Sequence, residues 1–293
     1  MSADAAQPAR VTIPMLAQKK TAREPIAMVT AYDYPGAQVA EAAGADVVLV
    51  GDSGAMTVLG YDSTVPVSVD EMLMLTRAVR RGLVAPLLVG DLPFGSYEAS
   101  DEDAVRTAQR FVKEAGCDAV KIERGGTTVA RARAIIDAGI PVMGHVGLTP
   151  QTVTALGGYR SQGRTAESAL QVARDALALQ QAGCFSLVFE AIPSEATAAI
   201  VPRLDIPVIG IGAGPAADGQ VLVFHDLLGI YGGHAARFVK RYADLRSTMV
   251  DGVTAYVDDV RSGGYPEAAH GYAMEPGEVE RLRTLLSESP DQP

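Results

Sequence analysis

Eight short runs of Val, Ile, Leu and Ala recur along the chain, and each is continuous rather than alternating: Ala27–Thr30, Val47–Val50, Leu87–Val89, Ala119–Ile122, Val142–Met143, Ser186–Phe189, Val208–Ile211 and Val221–Phe224. A strand that is apolar on both faces must be covered on both faces, the condition of strands in a parallel sheet. Parallel neighbours need long crossovers, usually helices, and the stretches between the runs supply them. Ala104, Ala108, Phe111 and Ala115 follow a helical stripe that Gly116 ends. Ser68 and Glu71 form a capping-box pattern ahead of Met72–Arg81, which Gly82 closes. An Ala-Gly pair stands before a strand four times, at 43–44, 115–116, 138–139 and 182–183, each time reading as a helix end and a turn into the strand. Eight strands alternating with helices predict an α/β protein, a (β/α)8 or TIM barrel. A doubly wound open sheet is the alternative. It usually carries a phosphate-binding fingerprint after its first strand, and Tyr32-Asp33-Tyr34-Pro35 is not one.

Composition narrows the function classes. With 48% hydrophobic and 20% charged residues, the 293-residue chain has the make-up of a folded protein rather than a disordered one. A net charge of −10 disfavours a non-specific nucleic-acid binder. Two cysteines do not staple a fold of this size and are too few for a zinc cage. Met1 to Lys20 has no apolar signal-like core, and no run is long enough to span a membrane. The expectation is a cytoplasmic enzyme with small-molecule substrates and neither a nucleic-acid nor a membrane partner. No Gly-, Ser- or Pro-rich linker divides the middle. The organisation expected is a flexible leader at 1–10, one barrel domain at 11–272, and a charged extension at 273–293 with a helix around Glu278–Leu286.

The polar residues that follow the apolar runs point to a site. The second run leads into Asp52-Ser53, the third into Asp91, the fourth is Val-Lys121-Ile-Glu123, the fifth leads to His145 and the sixth to Glu190. In a barrel the C-terminal ends of the strands converge on one mouth, where active sites sit. Asp52, Asp91 and Glu123 offer hard oxygen ligands suited to Mg²⁺, Glu123 either directly or through water; loop carboxylates or helix N-caps are the alternative for each. Lys121 and Glu123 are two apart on one strand and share a face, so Lys121 is either a substrate oxyanion partner or half of a structural ion pair. His145 is a candidate for proton handling or for a bond to a substrate oxygen. Glu190, beside Leu187-Val188-Phe189, is a candidate acid/base whose pKa an apolar wall would raise; an ion pair or an N-cap is the other reading. Asp33 is a mouth or a turn residue. Gly210, Gly212 and Gly214 mark either a ligand approach or a tight turn. Cys117 and Cys184 precede strands, away from the mouth, which argues against a nucleophilic role. His225, His234 and His270 are left without a role.

Several segments, in order over residues 11–270, resemble the ketopantoate hydroxymethyltransferase family: Thr30-Ala-Tyr-Asp-Tyr34, Val50-Gly-Asp-Ser53, Asp91-Leu-Pro-Phe94, Val120-Lys-Ile-Glu123, Gly144-His-Val-Gly-Leu-Thr-Pro-Gln151, Gly157-Gly-Tyr159, Ile209-Gly-Ile-Gly-Ala-Gly214, Asp218-Gly-Gln220 and Phe238-Val-Lys240. The resemblance implies a barrel of the phosphoenolpyruvate/pyruvate superfamily. It implies transfer of a hydroxymethyl unit from 5,10-methylenetetrahydrofolate to 3-methyl-2-oxobutanoate, giving 2-dehydropantoate for pantothenate and coenzyme A synthesis through a Mg²⁺-stabilised enolate. It also implies Asp52 and Asp91 as metal ligands with Glu123 in the metal's shell, Ser53, Lys121 and His145 at the oxo acid, Glu190 as the catalytic acid/base, and a homo-oligomer, typically a decamer. The chain departs from the family pattern in three places. Gly54-Ala55-Met56 replaces the usual Leu-Gly-Met, Arg124 intervenes between Glu123 and Gly125-Gly126, and His270-Gly-Tyr-Ala-Met replaces His-Ser-Phe. The rival readings are a lyase or phosphonomutase of the same superfamily and a catalytically dead barrel. The first calls for a mouth-loop cysteine or an anion site, the second for a lost site residue, and neither feature is found in the sequence.

Overall fold

In the computed structural model, residues 9–233 and 236–288 are described. The residues 1–8 of the leader, His234, and the last five residues lie outside them. Helix α1 (Ile13–Ala22) leads into β1 (Ile26–Thr30), α2 (Tyr34–Ala42), β2 (Val47–Val50), the single turn α3 (Gly54–Thr57), α4 (Val69–Arg81), β3 (Leu87–Asp91), α5 (Asp101–Ala115), β4 (Ala119–Glu123), α6 (Thr128–Asp137) and β5 (Val142–Gly147). The order continues with α7 (Ala166–Ala182), β6 (Ser186–Glu190), α8 (Ser194–Ile200), β7 (Val208–Ile211), β8 (Gly219–Leu222) and the short α9 (Phe224–Leu227). All eight strands are parallel, each pairs with its sequence neighbour, and β8 returns to β1 to close the barrel. The predicted (β/α)8 architecture is therefore present, and the open sheet is not.

Local chemistry sets the helix limits. Ser68 and Glu71 exchange the two bonds of a capping box at the start of α4. Ser100 caps α5 by accepting from the Asp103 N–H, and three acidic residues fill its first turn. The Ala-Gly repeat is a stop signal: Gly44, Gly116, Gly139 and Gly183 have φ of 75°, 73°, 87° and 102°. That left-handed conformation turns the chain out of a helix at little cost only when Cβ is absent.

Two apolar layers result. Val48, Val50, Leu88, Val120, Ile122, Leu187, Phe189 and Val208 face outward and pack against helix residues such as Met72, Val79, Phe111, Ile135 and Leu179. Ile26, Met28, Val47, Leu49, Leu87, Val89, Ala119, Met143, Val188, Ile209 and Val221 fill the barrel, joined by Leu16 of α1. The sequence reading did not anticipate α1. It closes the N-terminal end of the barrel, strapped by Lys19 to Asp46 and Lys20 to Asp218, both at 2.7 Å. Cys117 and Cys184 are free and buried just ahead of β4 and β6. Burial raises both thiol pKa values, that of Cys184 to about 12, which suits packing rather than nucleophilic chemistry.

Two boundaries differ from the sequence reading. The eighth strand begins at Gly219 rather than Val221, because Gly219 and Gln220 pair with Ile26 and Ala27. It ends before Phe224, whose N–H turns to the Thr30 hydroxyl at 2.9 Å. The chain also divides into two compact units at Ala243/Asp244 rather than near residue 272. The second unit holds α10 (Leu245–Ser262) and α11 (Glu278–Glu288). Met249, Val253, Tyr256 and Val260 keep helical spacing in α10, so periodicity alone gives no sign of a break there. No helix among the described residues is long and apolar enough to cross a membrane.

Leu16 is 1% exposed at the barrel floor. Leu16→Ala is expected to destabilise the protein by about 2–5 kcal/mol, read as a lower urea midpoint with an unchanged far-UV spectrum at zero denaturant.

Candidate active site

The inner face of the barrel changes character along each strand. Alternate residues point inward, so β3 runs Leu87, Val89, Asp91 and β4 runs Ala119, Lys121, Glu123, apolar at the floor and titratable at the mouth. Register then aligns the polar ends: Asp91 lies opposite Lys121, Glu123 opposite His145, and Gly147 opposite Glu190. Five predicted site residues are thereby gathered from four adjacent strands, and Asp52 joins them from the turn after β2.

The contacts form one network. The Lys121 ammonium is 2.9 Å from Asp91 Oδ1, 3.5 Å from Glu123 Oε1 and 3.2 Å from His145 Nδ1. His145 Nδ1 is 3.3 Å from Glu123 Oε1, and its Nε2 is 3.3 Å from Glu190 Oε2. The Asp52 N–H donates to Asp91 Oδ2 at 3.1 Å. Asp52, Asp91, Lys121, Glu123 and His145 are all buried, whereas the Glu190 side chain keeps 16% of its surface exposed. The network thus has a dry interior and one carboxylate at its rim.

Burial and mutual repulsion set the proton affinities. Burial, then Asp91 and Glu123, push the Asp52 pKa well above the usual carboxylate range. Burial also raises Asp91, against the pull of Lys121. Burial works the same way on Glu123, but Lys121 and His145 outweigh it and hold its pKa low. Burial and Lys121 oppose protonation of His145; Glu123 and Glu190 overcome them and raise its pKa to about 9. Burial would strip Lys121 of its proton, yet Asp91, Glu123 and Asp52 keep it an ammonium.

Two residues not singled out from the sequence brace the carboxylates. Gln151 donates through Nε2 to Asp52 Oδ2 at 3.0 Å and to the Leu92 carbonyl at 2.9 Å, and its N–H donates to Glu123 Oε2 at 3.1 Å. The Tyr97 hydroxyl donates to Gln151 Oε1 at 2.6 Å and itself accepts the Glu123 N–H at 3.2 Å. Gln151 closes one of the motifs quoted above, so a signal existed; Tyr97 had none, since nothing in a loop tyrosine announces a buried partner.

The remaining candidates divide. Ser53 shares a 2.8 Å hydrogen bond with the Tyr32 hydroxyl. A Cβ on Gly54 would sit 2.7 Å from the Tyr32 ring, so the backbone passes close to that ring at this departure from the family pattern. Asp33 is a turn residue, capping α2 through the Gly36 N–H at 2.7 Å. Gly212 and Gly214 have φ of 64° and 81° and lie against Phe238 and Ser194, so the tight-turn reading holds for them. His225 stacks 5.4 Å from Tyr32, and burial lowers its pKa. His270 Nδ1 accepts the Glu267 N–H at 3.2 Å.

Comparison with known proteins identifies the family. The chain matches the family model of ketopantoate hydroxymethyltransferase over residues 10–268. It is 52% identical over 267 residues to 3-methyl-2-oxobutanoate hydroxymethyltransferase of Moorella thermoacetica, covering 91% of this chain and 99% of that one. With the enzyme of Acidothermus cellulolyticus the identity is 52% over 272 residues, covering 93% and 100%. Among solved structures, it resembles phosphonopyruvate hydrolase in complex with oxalate and Mg²⁺ (TM-score 0.58, 13% identity, 95% and 99% covered). It also resembles 2,3-dimethylmalate lyase, a member of the PEP mutase/isocitrate lyase superfamily (TM-score 0.57, 16% identity, 97% and 98% covered). These two likenesses establish the shared barrel, and the sequence relatives establish the rest: the chain belongs to the ketopantoate hydroxymethyltransferase family.

Proposed function

We propose that this chain moves the one-carbon unit of 5,10-methylenetetrahydrofolate onto C3 of 3-methyl-2-oxobutanoate, forming 2-dehydropantoate for pantothenate and coenzyme A synthesis. The reading places it in the cytoplasm as a homo-oligomer, in line with the family resemblance. The observation that carries it is the gathering of three carboxylates, Asp91, Glu123 and Glu190, around one buried ammonium and one imidazole at the barrel mouth, with Asp52 bonded to Asp91 beside them.

That donor set fits Mg²⁺. Asp52, Asp91, Glu123 and Glu190 exceed the positive charge of Lys121 and His145, and a divalent cation would balance them. Among the described residues no group of three or more acidic, His or Cys side chains is arranged to hold a metal ion by itself. Magnesium does not need one: it is commonly held by one or two carboxylates and completed by water and substrate oxygens. Asp52 and Asp91 would hold it. Glu123, whose two oxygens already face Lys121, His145 and the Gln151 N–H, would act from behind through water. Bound there, the ion supplies Lewis-acid polarisation of a 2-oxo acid.

The residues themselves account for the remaining steps. Lys121, fixed by Asp91 and Glu123, presents positive charge to the oxo-acid oxygens and stabilises the enolate left when C3 loses its proton. Ser53 and His145 supply further contacts to the substrate oxygens. C3 bonds to the folate methylene carbon, both C–N bonds of that carbon break, water supplies the hydroxyl oxygen, and the C3 proton and the second water proton end on the two folate nitrogens. Glu190 is both partly exposed and 3.3 Å from His145 Nε2. Both features support it as the group that moves protons between that water and the departing folate nitrogen. The Gln151 bridge keeps Asp52 and Glu123 apart by engaging one oxygen of each.

Four outcomes are expected. Proton NMR of 3-methyl-2-oxobutanoate in D2O with protein, Mg²⁺ and methylenetetrahydrofolate should show new hydroxymethyl signals that require both metal and folate; folded, metal-loaded protein that yields neither product nor C3 exchange would overturn the reading. Asp52→Ala should lower Mg²⁺-dependent turnover by at least about a hundredfold while the fold survives, and Glu190→Gln should lower kcat by about 10²–10⁴. Gln151→Leu, which removes the amide donor to Asp52 and the Leu92 carbonyl and the acceptor of the Tyr97 hydroxyl, should cost roughly 1–3 kcal/mol of stability in urea unfolding.

A further inference from the structure

Of the three carboxylates assigned to the ion, Asp52 is the least secured. Asp91 has the Lys121 ammonium on Oδ1 and the Asp52 N–H on Oδ2. Glu123 has Lys121, His145 and the Gln151 N–H. Among the described residues, the one hydrogen-bond donor that reaches the Asp52 carboxylate is the Gln151 amide, 3.0 Å from Oδ2. Asp52 also lies beyond the end of β2, outside the strand ladder, so its direction depends on that amide more than on its own backbone.

The direction of the amide is decided in turn by its other partners. Both N–H bonds of Nε2 are committed, one to Asp52 and one to the Leu92 carbonyl at 2.9 Å, and a carbonyl oxygen can only accept. Oε1 faces the Tyr97 hydroxyl at 2.6 Å. That hydroxyl already accepts the Glu123 N–H at 3.2 Å, so its single proton goes to Oε1. Reversing the amide would set Oε1 against two acceptors and leave the Tyr97 proton without one. Tyr97 and Gln151 are 2% and 3% exposed, too deep for solvent to replace a lost bond. The loop that carries Tyr97 is pinned as well. The Thr107 hydroxyl of α5 donates to the Ser96 carbonyl at 2.7 Å, and the Ser96 hydroxyl donates to the Pro93 carbonyl at 2.6 Å. A one-way chain of hydrogen bonds thus runs from the Glu123 N–H through Tyr97 and Gln151 to Asp52.

We propose that Tyr97 is a positioning residue for the divalent cation: by orienting the Gln151 amide, it holds the Asp52 carboxylate with Oδ2 occupied and Oδ1 left for the ion. The inference rests on the magnesium reading above. Tyr97 touches neither ion nor substrate and acts through a side chain 54 positions away. Groups that orient a metal's ligands in this manner govern its affinity by about 10–100-fold. The hydroxyl carries the effect and the ring does not, since phenylalanine would fill the same space and lack only the donor.

The test is calorimetric titration of Mg²⁺ into the full chain with saturating 3-methyl-2-oxobutanoate and no folate. Tyr97→Phe should raise the Mg²⁺ Kd about 10–100-fold, and Gln151→Leu should raise it at least as far. Because Tyr97 works through the amide, the two changes should not add: the double variant should bind no more weakly than Gln151→Leu alone. Leu16→Ala, destabilised at the opposite end of the barrel, should keep the wild-type Kd. In turnover, Tyr97→Phe should recover kcat as Mg²⁺ is raised. A folded Tyr97→Phe protein with the wild-type Kd would overturn the inference, and so would an additive double variant. A shift in Leu16→Ala as large as that in Tyr97→Phe would reduce the effect to lost stability and overturn it too. If Gln151→Leu fails to fold, Tyr97→Phe against Leu16→Ala decides alone. Folded wild-type protein that binds no Mg²⁺ would overturn the magnesium reading itself, and the inference with it.

Discussion

A buried ammonium governs the upper half of this barrel. Lys121 is 3% exposed, and an unpaired charge at that depth would cost far more than a typical protein's margin of stability. It is tolerated because Asp91 and Glu123 reach it from the neighbouring strand and from its own. Those carboxylates in turn need donors, which the Asp52 N–H, His145 and Gln151 supply. Each polar group is affordable only because the next one is present, so the cluster is held as a unit. Its electrostatics leave an excess of negative charge aimed at one spot. Ion and substrate chemistry follow from that excess rather than from any single side chain.

The lower half of the barrel provides the rigidity. Inward Val, Leu, Ile and Met residues fill it below Lys121, and Leu16 stops its floor. The solved neighbours share the barrel at 13–16% identity, little of which can lie in common side chains. What such proteins hold in common is the arrangement of layers, and specific chemistry is carried by the residues placed at the rim.

Much of this was legible in the sequence. Continuous apolar runs announced parallel strands, because burial on both faces leaves no room for alternation. Period-two spacing put Lys121 and Glu123 on one face, and strand-end position gathered Asp91, His145 and Glu190. Other features were hidden for physical reasons. Helix α1 mixes Ile13, Met15 and Leu16 with Lys19 and Lys20, and only the closed barrel reveals that Leu16 fills a hole. The start of β8 is Gly-Gln, whose strand character comes from its neighbour's ladder rather than from propensity. Asp33 was ambiguous because a capping aspartate and a site aspartate look alike until a partner N–H is located. The bracing by Gln151 and Tyr97 joins residues 54 positions apart, a separation that no local pattern encodes.

The two cysteines have a use unrelated to catalysis. Each thiol sits behind a strand start, sealed between the sheet and its helical coat, with Cys117 against Gly90. A thiol reagent can reach them only when that coat lifts away. Their labelling rates would therefore clock the opening of two separate sectors, next to β4 and next to β6, under native conditions. The molecule carries its own pair of breathing sensors, with no engineered label needed to tell which side of the barrel loosens first.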